Sequence, residues 1–276
     1  MKLRSPKGRL LWAPILIGAL AFVPWPAAAQ SLTIGGTGSD LGTMSRLAEA
    51  FGQLHPGLSA KVLPSLGSSA GIKALLAGEL DLAVSARPLK PEERAAGATD
   101  LAYGKTPLVF VTSRDVQVAS LTSAEVVALF TGVRASWPGG APVRLILRPE
   151  SETDSRLLAA SFPAIEGPLA ALRETGAVPV AYTDQDAANL LESAPGAFGA
   201  LALSVILGEG RALTPLALDG VAPSPENLAD GSYRLGKTLY FVTGREPTET
   251  TRNFLAFVAS PAGRAILEAT GHVVPD

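Results

Sequence analysis

The sequence predicts an α/β fold built on a mainly parallel sheet, and three observations carry that expectation. From Ser31 onward, short apolar runs alternate with amphipathic segments, which is the pattern of strand-helix-strand units. Glycines, serines and threonines gather where apolar runs give way to helical spacing, as they do in loops that leave a strand and open a helix. No segment repeats with a period of about 20 to 50 residues, so a solenoid or propeller is not expected.

Residues 1–29 stand apart from this pattern. Lys2, Arg4, Lys7 and Arg9 precede the 14-residue apolar run "LLWAPILIGALAFV", and "AAAQ" offers a small-residue cleavage site after Ala29. A membrane span needs about 20 residues, and Pro24 and Pro26 follow the run directly, so the segment reads as a cleaved export signal. Removing its four cations leaves 19 basic residues against 25 acids, a formal charge of −6 on the remaining 247 residues. That balance argues against nucleic acid and makes any anion site a local affair. Cysteine is absent, which excludes disulfides and a lipid-bearing cysteine; with only His55 and His272, neither a metal site nor a cofactor is expected. The chain after residue 29 is expected to be soluble in an oxidising compartment.

The elements follow in order. "SLTIGG" is a strand ending in glycines, and Leu41, Met44, Leu47, Ala48 and Phe51 recur at helical spacing until Pro56. "LSAKVLP" is the second strand, after which "GSSAG" opens a helix that Gly78 ends. "LDLAVSA" and the β-prone "PLVFVTS" are the next strands. "LTSAEVVALF" is a helix capped by Thr122 or Ser123, with Glu125 in its first turn. Beyond it, "VRLILR" is a strand, "TDSRLLAASF" a helix, "VPVAY" a strand and "DQDAANLLES" a helix. "LYFVTG" is a late strand. Two helices close the chain, the last with Ser260 as cap, Pro261 at its first position and Gly271 beyond its end.

Three of the loops share a chemistry that periodicity does not demand: "GGTGSD" (35–40), "GSSAG" (67–71) and "RPESETDS" (148–155). A helix start exposes unpaired amide donors and a partial positive charge, so hydroxyls and glycines there can close around an anion. Each loop alone is also what ordinary capping looks like. Three together, with Arg148 before the third, point to an anion cradle.

"GSSAG" also fits G-x-S-x-G, the strand-turn-helix elbow of a serine hydrolase, and Ser69, Asp219 and His272 stand in that fold's chain order. Both histidines, however, sit next to helix ends marked by a glycine or a proline, where surface positions are expected. Trp137, in "WPGG", reads as a packing anchor for its loop, and "KPEER" as a solvated helical turn.

Beyond these local features, a series of segments resembles the phosphate-type periplasmic solute-binding proteins, the receptors of ATP-driven importers. The series comprises "GSSAGIKALLAGELDLAVSARPLKPEE", "LTSAEVVALFTGVRASWPGG" with Phe130, Gly132 and Trp137, "LRPESETDS", "ESAPGAFGALAL", "DGVAPSPENLADGSYRLGKTLYFV" and "FLAFVASPAGRAILEATGHVV". Their order spans nearly all of the chain after residue 30. The resemblance implies a two-lobed type 2 periplasmic-binding-protein fold, each lobe a mixed, mainly parallel sheet flanked by helices, with the ligand in the cleft between lobes. Residues 31–107 with 243–276 would form lobe 1 and 108–242 lobe 2, with "PLVFVTS" and "LYFVTG" as crossovers. It implies binding without catalysis, capture of a small oxyanion such as phosphate, and delivery to an ABC permease in the inner membrane. Carried over residue by residue, the ligand contacts fall on Thr37, Gly38, Ser39, Ser68, Ser69, Arg148, Ser151 and Thr153, with Arg87 as an added donor.

Two positions depart from the family pattern. Ala86 follows Ser85 where the best-known phosphate receptors have an aspartate that accepts the ligand's proton, and Glu152 stands where the family has a glycine. Glu152, with Asp154 behind it, is what an ordinary first helical turn carries to complement the helix dipole; the sharper alternative is that Glu152 or Asp40 replaces the missing acceptor. The choice among phosphate, sulfate, molybdate-like anions and organic phosphates stays open, as does a family member turned to sensing or adhesion with a decayed site.

Overall fold

The structure, a computed structural model, describes residues 30–275; the expected export signal lies outside them. β1 (Gln30–Gly36), α1 (Leu41–Leu54), β2 (Leu58–Val62), α2 (Ser68–Leu76), β3 (Leu82–Ser85) and α3 (Pro91–Ala95) lead into the long strand β4 (Thr99–Thr112). Next come β5 (Ser120–Leu121), α4 (Ser123–Phe130), β6 (Arg144–Leu145), α5 (Thr153–Ser161), α6 (Glu166–Thr175), α7 (Asp184–Ser193), β7 (Ala197–Ala202) and α8 (Leu203–Glu209). β8 (Thr214–Pro215), β9 (Ala217–Leu218), α9 (Pro225–Ala229), β10 (Gly236–Thr243), α10 (Glu249–Ala259) and α11 (Pro261–Ala269) complete the chain.

The main sheet has the order β2-β1-β3-β10-β4-β7-β6, with β8 also on β4. β1 pairs in parallel with β2 and β3, whereas β10 is antiparallel to both β3 and β4. β4 changes partner midway: Thr99–Pro107 pairs with β10, and Leu108–Thr112 with β7. Its side chains accordingly enter three cores. Tyr103 packs with Leu32, Met44, Phe51, Phe241 and Phe254 in the first half of the molecule. Leu108 and Phe110 join Phe130, Trp137 and Phe198 in the second half, and Val109 and Val111, on the other face, join Ile146, Leu191 and Leu201.

The local signals fall where the chemistry puts them. Thr122, not Ser123, caps α4, its hydroxyl accepting from Glu125 N while the Glu125 carboxylate accepts from Thr122 N. Ser260 caps α11 with Pro261 at its first position, and Gly271 takes the left-handed conformation just beyond it at φ 88°. Trp137 is buried and donates to the Gly196 carbonyl at 3.0 Å, which anchors its loop.

Two expectations are corrected. "VPVAY" forms only an isolated parallel bridge, Leu147 with Val180, because Pro179 has no N–H to continue a ladder. The strand expected from Pro107 begins at Thr99, eight residues earlier, because β10 supplies a partner that local propensity does not reveal.

Gly36 ends β1 at φ 133°, and a Cβ there would sit 2.0 Å from the Val84 carbonyl oxygen. This close approach lets Thr37 N donate to that same oxygen at 2.8 Å and sets the loop that follows. Gly36→Ala is therefore expected to lower stability by about 2 kcal/mol or more, read as a fall in the urea midpoint.

Candidate functional site

Two loops that leave parallel strands and one helix start converge at the middle of the molecule. The turn Gly38–Asp40 follows β1, Arg148 follows β6, and Asp184 begins α7. Sites at the carboxyl ends of strands are where open α/β sheets bind ligands. Lys237 reaches the same point from β10.

The central group is a buried charge network. Lys237, Asp154, Asp184 and Arg148 are each no more than 7% exposed. Lys237 Nζ donates to Asp154 Oδ1 at 2.5 Å and to Ser39 Oγ at 2.7 Å. The Ser39 hydroxyl in turn donates to Asp184 Oδ1 at 3.1 Å and accepts from Thr37 Oγ1 at 3.2 Å. Arg148 Nη2 lies 3.3 Å from Asp184 Oδ2 and 3.5 Å from Glu152 Oε2, and its Nη1 donates to the Ala181 carbonyl at 3.0 Å. Two atoms in this network have no partner among the described residues, Arg148 Nε and Asp154 Oδ2.

Supporting contacts fix these groups in place. Arg173 Nε donates to the Arg148 carbonyl at 2.9 Å and its Nη2 to Ser155 Oγ at 3.2 Å, bracing the loop from behind. Gln185 Nε2 donates to the Gly38 carbonyl at 2.9 Å, and Ser204 Oγ to the Ser39 carbonyl at 2.6 Å. A cleft of about 580 Å³ opens beside this point, between Gly42, Ser45 and Ser65 of the first half and Thr183, Gln185 and Glu209 of the second.

The residues expected from the sequence are not all in one place. Thr37, Gly38, Ser39 and Arg148 belong to the central network. Thr153, half-buried, opens α5 beside Asp154, whereas Ser151 is exposed and has no hydrogen bond among the described residues. Ser68, Ser69 and Arg87 form a neighbouring cluster where α2 starts. Ser68 Oγ accepts from Ala86 N at 3.0 Å, and Arg87 donates to Ser69 Oγ at 3.1 Å. Arg87 is already neutralised: its two contacts with Glu93, at 2.7 and 2.8 Å, raise its pKa and hold that carboxyl below the usual range.

The two proposed replacements for the missing aspartate part company. Asp40 is fully buried and committed elsewhere, its Oδ2 accepting from Tyr103 Oη and its Oδ1 lying 3.0 Å from His272 Nε2, an ion pair when the ring is protonated. It cannot face a ligand. Glu152 is half-buried beside Arg148; burial raises its pKa, and the nearby Asp184 and Asp154 carboxylates add to a rise that Arg148 opposes.

The hydrolase constellation does not assemble. Ser69 bonds to Arg87, Asp219 accepts from Ser123, and His272 faces Asp40, so none of the three bonds to another. His272 is also not the surface residue its position suggests: at 1% exposed, it lies under the turn that carries Ser39.

Sequence reasoning missed Lys237, Asp184, Gln185 and Ser204. Lys237 did carry a signal. In "RLGKTLYF" it shares the period-two phase of Leu235, Leu239 and Phe241, all buried, so a lysine there had to be inward-facing and paired.

Residues 23–262 match the model of the PBP superfamily domain. The chain belongs to the PBP superfamily. The phosphate-binding protein PstS of Bacillus subtilis is 26% identical to this PBP over 243 residues, 84% of this chain and 76% of that one. In a solved structure from Clostridium perfringens, described as a phosphate ABC transporter substrate-binding protein with bound phosphate, the TM-score is 0.75 at 23% identity, covering 90% of this chain and all of that one. The periplasmic molybdate-binding protein of Azotobacter vinelandii gives a TM-score of 0.62 at 18% identity, over 89% of this chain and all of that one. At such identities the structural likeness is one of fold, and this fold carries more than one oxyanion.

The His272–Asp40 pair makes a prediction for this PBP. Burial alone would lower the His272 pKa, but the Asp40 carboxylate and the ring's bond to the Leu267 carbonyl outweigh it and leave a net rise. The pair therefore stabilises fully below the unfolded value of about 6.5 and loses its effect as pH rises through the folded value. The urea midpoint of the wild type is expected to fall across that window relative to His272→Gln; parallel pH profiles for the two proteins would contradict it.

Proposed function

We propose that this PBP is an exported solute-binding protein that captures a small oxyanion, phosphate foremost, between its two halves and delivers it to an ABC-type importer in the inner membrane. The two halves act as lobes, with β4 and β10 as the crossing strands. The export signal at residues 1–29 would place the chain in the periplasm, as a monomer that binds without chemistry. Named phosphate-binding relatives and the fold support this reading.

One observation carries it beyond the family. Arg148 is buried, its Nε has no acceptor among the described residues, and it stands within one network with the hydroxyls of the first helix start. A buried guanidinium with an unused donor is costly unless an acceptor arrives. An oxyanion oxygen is such an acceptor, and each charge-assisted bond contributes about 1.5 to 3 kcal/mol. Micromolar binding needs only about 8 kcal/mol net, so a handful of such bonds suffices. Glu152 remains the candidate acceptor for a ligand proton, which would favour protonated phosphate over sulfate.

Arg148→Ala is expected to weaken phosphate binding by about 10- to 100-fold in titration calorimetry, with sulfate and molybdate run alongside. A folded wild type that binds none of the three anions would overturn the reading in favour of a decayed site.

A further inference from the structure

The network holds a second buried cation that no helix-start motif supplies. We propose that Lys237 is an anion-binding residue of this network, and that Asp154 is its internal counter-ion, competing with the incoming oxyanion for the same ammonium group. The inference rests on the oxyanion reading above and deepens it by adding a residue and a ligand charge.

Placement comes first. Lys237 Nζ donates to Ser39 Oγ at 2.7 Å, so an anion that hydrogen-bonds to Ser39 lies within reach of the lysine as well. Ser39 is already saturated, donating to Asp184 and accepting from Lys237 and Thr37. An anion can engage it only by displacing one of these partners. Arg148 and Lys237 carry two positive charges, and the two buried aspartates on them, Asp184 and Asp154, carry two negative ones. A dianionic tetrahedral oxyanion matches that pair in charge and in acceptor oxygens, and it can replace both.

The pairing is also incomplete as a structural salt bridge. Buried ion pairs offset their desolvation only when the remaining lone pairs and protons are satisfied. Asp154 Oδ2 and Arg148 Nε are buried and unsatisfied by described residues. A cavity of about 20 Å³ lined by both residues has room for one water, not for an oxyanion. Asp154 must therefore move if an anion is to reach both cations. Lys237 belongs to β10 in the first half and Asp154 to α5 in the second, so their bond also ties the halves together.

The sign of one substitution tests this. Phosphate titrations of the wild type, Lys237→Met, Asp154→Asn and Arg148→Ala, each checked for folding by circular dichroism, are expected to show Lys237→Met weakened about 10- to 100-fold and Asp154→Asn strengthened about tenfold. Should Asp154→Asn leave Lys237 too poorly paired to fold, the double variant Lys237→Met/Asp154→Asn serves, and it is expected to bind more tightly than Lys237→Met. Asp154→Asn binding phosphate no better than wild type, or Lys237→Met matching wild type, would overturn the proposal; so would a double variant no tighter than Lys237→Met. Wild-type affinity in Arg148→Ala would remove the site reading alone, while the order Asp154→Asn above wild type above Lys237→Met would keep this inference. Absence of binding in every protein would end both.

Discussion

The structure turns on the point where β4 changes partner. A strand of 14 residues pairs first with β10 and then with β7, so one continuous backbone belongs to both halves of the sheet. Lys237 pairs with Thr106 beside that change, and Thr106 Oγ1 accepts from Ser204 N at 3.2 Å. Ser204 then reaches the Ser39 carbonyl, and Lys237 the Ser39 hydroxyl. The seam of the fold and the floor of the site are thus the same residues.

Buried charge is the second constraint, and it follows from the first. The loops after β1 and β6 and the start of α7 meet in a region with little access to water, so each ionised group needs a counterpart or a ligand. Lys237 and Arg148 find Asp154 and Asp184. Below them, the Asp40 carboxylate is held by Tyr103 and His272, a pair drawn from β4 and from the segment after α11. This lower group ties the far end of the chain to the turn that presents Ser39. Departures from the family pattern at Ala86 and Glu152 make sense against this background. Ala86 N donates to Ser68 Oγ, and Glu152 lies beside Arg148 in the same network as Asp184.

Much was legible in the sequence because it depends on neighbours along the chain. Caps at Thr122 and Ser260, the glycine stop at Gly271 and the helical spacing of Leu41 to Phe51 are short-range chemistry, and they stand where the sequence puts them. The first helix start and Arg148 were legible for the same reason, whereas Ser151 of the third start is exposed. Strand length, by contrast, depends on a partner. "VPVAY" lost its strand to Pro179, and the first half of β4 appears only because β10 lies beside it.

By itself the sequence determined the α/β class, the helix starts that gather polar groups at the strand ends, and a family whose pattern spans the chain. Tertiary structure alone decided which of those groups meet. It buried His272 under the Ser39 turn, took Asp40 out of contention as a ligand group, neutralised Arg87 with Glu93 and set Lys237 against Asp154 across 83 positions of chain. The reason is physical: capping and periodicity act within a few residues, but the cost of a buried charge is settled by whatever the fold brings to it from far away.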